Sequence, residues 1–279
     1  MGLHPEVFFA PGEVPYLESP DYEHWGTARL HELFANRPER ILGIKRPNYI
    51  GLEEIPDRLR QHLPDAKLMA VLRHPAKRAV AQYYHNMRFG FQPVLPLDRG
   101  LGMIFDDNRF VSRYPAASTV LEYGRYGKYL PMYQHYSSRN QMLVLFHDDV
   151  AKEAAGTIRE ALKFVGASEH FFSQTPGNRP QKVAYSLLRI RVLRLANPFL
   201  FKYNKTRTRL EPRPSSRTTR SVAAFISKLD GAFGFAKAAA QPKPGNKVRQ
   251  KLIEYYRDEV KLVGDMTDRD LGHWCRWDD

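Results

Sequence analysis

The sequence is poor in cysteine and has no long apolar run. Cys275 is the only cysteine among 279 residues, which excludes an intrachain disulfide and a cysteine-rich metal site within this chain. No stretch approaches the about 18 consecutive apolar residues that a membrane-spanning helix needs. The first residues, MGLHP, lack the charged and apolar regions of a signal peptide. We therefore expect a soluble protein of a reducing, cytoplasmic compartment.

Several motifs of catalysis and binding are also missing. The sequence has no group of His, Cys, Asp and Glu with metal-ligand spacing, so we expect no metal ion. It has no Gly-x-Ser-x-Gly elbow, which argues against an α/β-hydrolase. No recognised nucleic-acid motif accompanies its positive charge, so nucleic acid is a disfavoured partner.

Positive charge is what the chain has in excess. It carries 43 Lys and Arg against 30 Asp and Glu, a net charge of +13. Such a basic protein is expected to bind an anionic partner, such as a nucleotide, a sulfated or acidic glycan, or an anionic membrane. With 43% hydrophobic residues, the chain can bury the core of one large domain or two small ones.

Most of the charge lies in one stretch. Between residues 179 and 220 the sequence has twelve Lys or Arg against a single acid. Its first part, residues 183–195, has helical periodicity, and the remainder, which is rich in Pro, Ser and Thr, is predicted to be mobile. The apolar residues on one face of that helix are Leu188, Val192 and Leu195. Three interpretations stay open: a solvated insertion, a groove for an anionic acceptor, or an amphipathic helix on an anionic membrane.

Strands and helices are predicted to alternate along the first half of the chain and again from residue 120. Alternation at this spacing indicates βαβ units and a parallel sheet. Strands are predicted at residues 6–10, 40–44, 68–72 and 141–146, and helices at 22–36, 52–63, 75–87, 120–136 and 151–165. Residues 90–115 are predicted to form a long loop, 236–246 a linker and 247–263 a final helix.

The junction around Arg73 is the most informative single feature. The apolar run at residues 68–72 is short enough for a strand buried on both faces. Pro75 then begins a helix, at a position where its missing N–H has no cost. Arg73 lies between them, at the carboxyl end of the strand, where parallel sheets bind ligands, and its planar guanidinium suits a phosphate. Taken alone, the pattern also fits a solvated charge or a salt bridge.

Several other segments follow one family pattern in order. They are residues 4–17 (HPEVFFAPGEVPYL), 43–49 (GIKRPNY), 124–130 (GRYGKYL), 141–145 (QMLVL), 163–166 (KFVG) and 249–274. Together with the strand–Arg73–helix junction, they resemble the sulfotransferase family, and especially the branch that sulfates carbohydrates such as heparan sulfate, with its bacterial relatives.

The resemblance implies a fold and an activity. The fold is α/β, a P-loop-NTPase-like parallel sheet flanked by helices. We expect a single domain over residues 1–279, with a basic, partly flexible insertion at 180–245 and a helical end at 246–279. The implied activity is transfer of a sulfuryl group from 3′-phosphoadenosine 5′-phosphosulfate (PAPS) to a hydroxyl group, with a carbohydrate as the expected acceptor and no metal.

The chain departs from the family pattern in several places. The family's opening strand and Lys-x-Gly-Thr-Thr loop, which cradles the 5′-phosphosulfate on backbone N–H groups, have no counterpart before His4. We therefore expect an N-terminally truncated domain, whose missing unit either is encoded upstream of Met1 or was cut away. The Ser that the family places eight residues after Arg73 is Ala81, and one lost charge-assisted hydrogen bond costs about 1.5–3 kcal/mol. Arg46 stands where the family has Ser or Thr.

The resemblance also implies roles for individual residues. Glu13 is the expected general base, and Lys45 is expected to contact the acceptor or the transferring sulfuryl group. Arg73 is expected to bind the 3′-phosphate, with Arg179 and Lys182 in a late basic loop over the same phosphate. The alternatives are an exposed surface carboxylate for Glu13 and an ordinary salt bridge for Lys45.

Three hypotheses on function follow from the sequence. The first is an active carbohydrate sulfotransferase. The second is a degenerate relative that binds the nucleotide or an anionic glycan without turnover. The third is an adaptor at an anionic membrane surface, which would act through residues 183–220 and bind more weakly as salt screens the charge.

Overall fold

The structure, a computed structural model, describes residues 4–169, 185–214, 216–232 and 241–277. The chain divides into two units, each built from three separate stretches of sequence. The first unit comprises Met1–Arg73, Arg125–Arg179 and Asp258–Asp270, and the second comprises His74–Gly124, Pro180–Arg257 and Leu271–Asp279. The expected single domain with an insertion at 180–245 stays a prediction.

The described residues form six strands and fifteen α-helices. The strands are β1 (Val7–Phe9), β2 (Ile41–Gly43), β3 (Leu68–Leu72), β4 (Met142–Phe146), β5 (Phe201–Tyr203) and β6 (Leu210–Pro212). The helices are α1 (Asp21–Trp25), α2 (Ala28–Phe34), α3 (Ile55–His62), α4 (Pro75–Arg88), α5 (Leu97–Asp106), α6 (Asn108–Arg113), α7 (Thr119–Glu122), α8 (Tyr126–Tyr129), α9 (Gln134–Ser137), α10 (His147–Lys152), α11 (Ala154–Val165), α12 (Leu187–Arg194), α13 (Asn197–Leu200), α14 (Arg217–Ala232) and α15 (Asn246–Thr267).

The first unit contains two parallel strand pairs. β1 pairs with β2, with Val7 opposite Ile41, and β3 pairs with β4, with Leu72 opposite Phe146. Parallel neighbours need a crossover connection, and helices lie between the two strands of each pair in the chain. The predicted α/β fold with parallel strands is confirmed.

Two helices predicted as continuous are divided in the structure. The one predicted at residues 22–36 forms α1 and α2, because Gly26 at φ 52° ends α1 and glycine adopts such angles without strain. The one predicted at 120–136 forms α7, α8 and α9, with a short 3₁₀ turn at Leu130–Tyr133 before the last. The predicted helix at 151–165 ends at Gly166, which adopts the left-handed conformation of a helix C-terminus.

The core of the first unit anchors the chain on the carboxyl side of β1. Leu17 and Ile55 are buried with the ring of Tyr136, and burying one such apolar side chain stabilises the fold by about 1.5–3 kcal/mol. Val14 is buried in a neighbouring cluster with Leu30. The residues that follow position 13 are therefore fixed by the core.

The predicted burial of β3 on both of its faces is wrong. Leu72 is buried, but Val71 is 57% exposed and residues 68–70 are only half-buried. The apolar run marks the strand correctly. An apolar run reports local preference for a strand, whereas burial depends on what the rest of the chain packs against it.

The second unit corrects the predicted loop at residues 90–115. α5 and α6 lie within it, and the carboxylate of Asp107 caps α6 by accepting hydrogen bonds from the backbone N–H of Arg109 at 2.9 Å and of Phe110 at 3.1 Å. Gly100 sits where a Cβ would lie 1.9 Å from the hydroxyl of Tyr83. The glycine that favoured a loop prediction is therefore required for close packing of α5 on α4.

The basic stretch contains more regular structure than the sequence predicts. α12 lies within the helix predicted at residues 183–195, and α13, the antiparallel β5–β6 pair and α14 follow. Asn197 donates a hydrogen bond from Nδ2 to the carbonyl of Arg88 at 3.0 Å, and Tyr203 donates one to the carbonyl of Phe89 at 2.8 Å. These bonds attach the stretch to the end of α4. The flexibility expected for it stays a prediction.

Candidate functional site

The first unit brings Glu13 and Lys45 together beyond the carboxyl ends of β1 and β2. The backbone N–H of Ala10 donates to the carbonyl of Gly43 at 2.9 Å, and that of Val14 donates to the carbonyl of Lys45 at 3.1 Å. The chain after β1 therefore runs beside the chain after β2. Both side chains are exposed, so they are accessible to a ligand at this edge.

Arg46 is the charged partner of Glu13. Its Nη1 donates to the Glu13 carboxylate at 2.7 Å, and its Nε and Nη2 donate to the two carboxylate oxygens of Glu18, the latter at 2.8 Å. The Arg46 side chain is only 9% exposed, whereas that of Glu13 is 44% exposed. The residue that departs from the family pattern thus links both acids of this turn. The Glu13 carboxylate is exposed, as the alternative interpretation expects, but its ion pair with Arg46 holds it in place.

Tyr49 fixes the same turn through its backbone. The Tyr49 hydroxyl donates to the carbonyl of Val14 at 2.7 Å and accepts from the N–H of Leu17 at 3.1 Å. Tyr133 donates in turn to the carbonyl of Tyr49 at 2.7 Å. Burial raises the pKa of the Tyr49 hydroxyl, so it stays protonated and keeps donating. Tyr49 stands in a segment that matches the family, which is the signal that identifies it.

Arg58 is a supporting residue that no local pattern in the sequence identifies. From α3, its guanidinium donates to the carbonyl of Leu17 at 2.7 Å, to Ser19 Oγ at 3.0 Å and to the Glu23 carboxylate at 2.7 Å. An amphipathic helix pattern predicts a solvent-facing arginine at this position. Its role depends on a tertiary contact that no local pattern encodes.

Unlike Glu13 and Arg46, Lys45 has no charged partner among the described residues. Among the residues that the structure describes, its ammonium makes no ion pair or side-chain hydrogen bond. The salt-bridge alternative for Lys45 therefore finds no support in the described part of the chain. An exposed ammonium of this kind can bind an anionic group of a ligand.

Arg73 follows β3, as predicted. It is half-buried, directly after the buried Leu72 and directly before α4, which begins at Pro75. Leu72 lies opposite Phe146 in register, so Arg73 and His147 both follow the carboxyl ends of their paired strands. Ala81 lies in the second turn of α4 and offers only a methyl group. Arg179 and Lys182 lie outside the described residues.

Two matched segments have structural roles. His4 donates from Nε2 to the carbonyl of Ser168 at 2.8 Å, which anchors the start of β1. In the segment 124–130, the Glu259 carboxylate accepts from Arg125 Nε at 3.0 Å and from the N–H of Lys128 at 2.8 Å. A Cβ on Gly127 would lie 2.9 Å from that carboxylate, so the glycine is needed for this contact.

Glu13 and Lys45 therefore follow one pair of parallel strands and Arg73 follows the other, each at the carboxyl ends where parallel strands bind ligands. A carboxylate can accept a proton, and the two cations can bind phosphate or sulfate oxygens. Within the described ranges, no three His, Cys, Asp or Glu side chains converge in a way that could hold a metal ion. In the same part of the chain, no helix has the length and apolarity needed to cross a membrane. The fold and site define an α/β protein suited to an anionic substrate.

The comparisons with known proteins give the family. The family model of the sulfotransferase domain matches residues 14–182, which is more than half of the chain. The chain belongs to the sulfotransferase family. The match includes Lys45 and Arg73 and begins one residue after Glu13.

Curated relatives are sulfotransferases of one kind of glycan. Heparan sulfate glucosamine 3-O-sulfotransferase 3A1 of Mus musculus is 28% identical over 182 residues, which cover 63% of this chain and 44% of that protein. Heparan sulfate glucosamine 3-O-sulfotransferase 6 of Homo sapiens is 26% identical over 238 residues, covering 83% of this chain and 64% of that protein. The matched region thus spans less than two thirds of each relative.

A solved structure confirms the fold. The sulfotransferase from Alicyclobacillus acidocaldarius superimposes with a TM-score of 0.62, over 99% of this chain and 91% of that one, at 16% sequence identity. At this identity the similarity establishes the sulfotransferase fold and carries no information on the substrate.

Proposed function

We propose that this protein transfers a sulfuryl group from PAPS to a hydroxyl group of a carbohydrate. The observation that carries the proposal is the placement of Glu13 beside Lys45 beyond the ends of β1 and β2, within segments that resemble the family's catalytic motifs. The relatives named above act, by their names, on heparan sulfate glucosamine, which supports a carbohydrate acceptor.

In the proposed reaction, the acceptor oxygen forms a bond to sulfur as the bond between sulfur and the phosphate oxygen of PAPS breaks. Glu13 takes the proton of the acceptor hydroxyl, and a positioned base contributes about 10²–10⁴-fold in rate. The ammonium of Lys45 stabilises the negative charge that shifts onto the sulfuryl and leaving phosphate oxygens. The products are the sulfated glycan and adenosine 3′,5′-bisphosphate.

The residues of the site fit the anionic donor in part. Arg73 supplies a planar guanidinium for the 3′-phosphate, and Lys45 supplies an ammonium that forms no ion pair within the described ranges. Position 81 supplies no hydroxyl, because it is alanine. Arg179 and Lys182 remain candidates for the same phosphate.

Calorimetric titration with adenosine 3′,5′-bisphosphate tests the donor site. We expect Arg73→Ala to weaken binding by about tenfold to a hundredfold, because hydrogen bonds to charged groups contribute about 1.5–3 kcal/mol. Arg60→Ala is the matched control, since Arg60 is an exposed arginine of the same unit whose ion pair, among the described residues, is with Asp57 three residues away. Equal binding by wild type and Arg73→Ala would remove Arg73 from the site.

Transfer of radiolabelled sulfate from PAPS to a mixture of glycans tests the reaction. We expect a labelled glycan whose formation requires both the protein and PAPS. The absence of both nucleotide binding and transfer contradicts the proposal, whereas binding without transfer supports a second candidate, a non-catalytic relative that binds the nucleotide or an anionic glycan. Two observations favour that candidate: Ala81 offers no hydroxyl, and the Glu13 carboxylate is already bound by Arg46.

A further inference from the structure

The described residues of the range 185–232, called here the basic surface, combine positive charge with exposed apolar side chains. Within this range the sequence has eleven Lys or Arg against two acids, Glu211 and Asp230. Four large apolar side chains of the same range are exposed, namely Leu188, Leu195, Phe199 and Phe225. The chemistry proposed for Glu13 and Lys45 uses none of these residues.

The helix α12 directs apolar residues outward. Ile190 and Leu193 are buried, whereas Leu188 is 60% exposed and Leu195, just beyond the end of the helix, is 71% exposed. Leu188 and Leu195 are seven residues apart, and Leu195 keeps helical angles, so they lie on the same side. The apolar face predicted from the sequence is therefore the face that the structure exposes.

A cation lies between the two exposed leucines. Arg191 is exposed and stands three residues after Leu188 and four before Leu195, which places it on the same side of α12. An arginine between two exposed leucines presents a cation and apolar groups together to the interface of an anionic bilayer. There the apolar groups enter the acyl boundary while the guanidinium stays among the phosphates.

The outward face of α12 is held in place by bonds on its other side. Arg194 donates from Nη1 to the carbonyl of Gln92 at 2.9 Å. Arg88 donates from Nη1 to Asn197 Oδ1 at 2.8 Å, and Asn197 donates back to the Arg88 carbonyl. Because these contacts already fix the helix, binding a flat surface costs little conformational entropy.

We propose that the basic surface binds the headgroup region of an anionic lipid bilayer, with Leu188 and Leu195 inserted beside Arg191. The exposed Arg191 and the excess of Lys and Arg over Asp and Glu in this range complement a negatively charged surface, where each Lys or Arg near the lipid contributes about 1 kcal/mol. The exposed leucines select a bilayer over a soluble polyanion, because a polyanion offers no apolar phase. This inference does not depend on the sulfotransferase reaction.

Co-sedimentation with vesicles tests the proposal on the full chain. We expect binding to mixed phosphatidylglycerol and phosphatidylcholine vesicles, little binding to pure phosphatidylcholine, and weaker binding as NaCl rises past about 0.15 M, where the screening length is about 8 Å. Leu188→Ser/Leu195→Ser should weaken binding about tenfold or more. Arg191→Ala should weaken it about fivefold.

The matched control is Leu262→Ser/Met266→Ser, which removes two apolar side chains of similar exposure from α15 in the first unit. It should bind vesicles like wild type, and circular dichroism should show that all variants keep their helices. Equal vesicle binding by the two double variants overturns the proposal. Tight binding to dextran sulfate without binding to vesicles also overturns it, because the partner is then a soluble polyanion. A dimer in sedimentation velocity that Leu188→Ser/Leu195→Ser dissociates overturns it as well, because the partner is then a second copy of the chain.

Discussion

The turn that carries Glu13 and the basic surface use arginine in opposite ways. Around Glu13, Arg46 joins two carboxylates and Arg58 joins a third, and both arginine side chains are mostly buried. On the basic surface, cations outnumber acids by eleven to two, and the exposed Arg191 lies between exposed leucines. Charges matched inside the fold hold a geometry, whereas an exposed cation between apolar side chains is available to a partner. Three substitutions in the turn test this difference, and a fourth tests an ion pair elsewhere in the first unit.

The largest expected effect is that of Glu13→Gln. The substitution keeps the shape of the side chain but removes the base, so kcat for sulfuryl transfer should fall about 10²–10⁴-fold while nucleotide affinity changes little. Glu53→Gln is the control, because Glu53 is another exposed, ion-paired carboxylate of the first unit. Initial rates with labelled PAPS measure both. If the two variants have similar rates, the fixed turn does not serve as the base.

Arg46→Ala should be the most destabilising change. It leaves the mostly buried carboxylate of Glu18 without its partner, and breaking a buried pair in this way costs about 3–5 kcal/mol in the free energy of unfolding. Arg191→Ala, on the basic surface, should change the free energy of unfolding by less than about 0.5 kcal/mol. Urea unfolding followed by circular dichroism compares the two. Equal losses would mean that the two regions do not differ as described.

Tyr49→Phe should have an intermediate effect. It leaves the carbonyl of Val14 and the N–H of Leu17 without the hydroxyl that binds both, and unsatisfied buried polar groups cost about 1–3 kcal/mol. Tyr16→Phe is the control, since the Tyr16 hydroxyl forms no hydrogen bond within the described ranges. Urea unfolding followed by circular dichroism compares the two variants. No loss for Tyr49→Phe would show that the turn is fixed by its apolar residues alone.

The smallest expected effect concerns a paired carboxylate near the end of β4. Arg269 donates two hydrogen bonds of 2.6 Å to Asp149, and these bonds lower the pKa of the Asp149 carboxyl. A lowered pKa stabilises the fold above the ordinary value of about 3.9, and this stabilisation is lost as the pH falls below it. Because the pair is partly exposed, it contributes only about 0.5–1 kcal/mol. Asp149→Asn should therefore lower the free energy of unfolding at pH 7 and reduce how much of it is lost as the pH falls. If the free energy of unfolding depends on pH as it does in wild type, the expectation is contradicted.

Local patterns in the sequence predict strands β1 to β4 and the charged residues that follow their ends. β3 has the predicted bounds, α4 begins at the predicted Pro75, and Gly166 ends α11. These features follow from apolar runs and from the backbone angles of proline and glycine, which depend on a few neighbouring residues. The order of the matched segments then identifies the family, and the placement of Lys45 and Arg73 beyond strand ends follows from it.

Features that depend on distant residues were not predicted. α5 forms where Gly100 and its neighbours favoured a loop, because its packing against Tyr83 requires the glycine. Arg46 was regarded as a departure from the family pattern, yet it pairs with Glu13 and Glu18 from more than twenty residues away. Arg58 gave no signal at all. The exposure of Val71 and Leu195 likewise depends on what packs nearby, which no local pattern reports.

The bond between Glu259 and the segment around Arg125 has a consequence for how the protein is made. The first unit needs residues 258–270 as well as 1–73, and Glu259 caps α8 across 131 positions of sequence. A ribosome releases residues 258–270 only after the other two stretches of the first unit have been made. The unit that carries Glu13 therefore cannot complete its fold until the chain has closed this long loop.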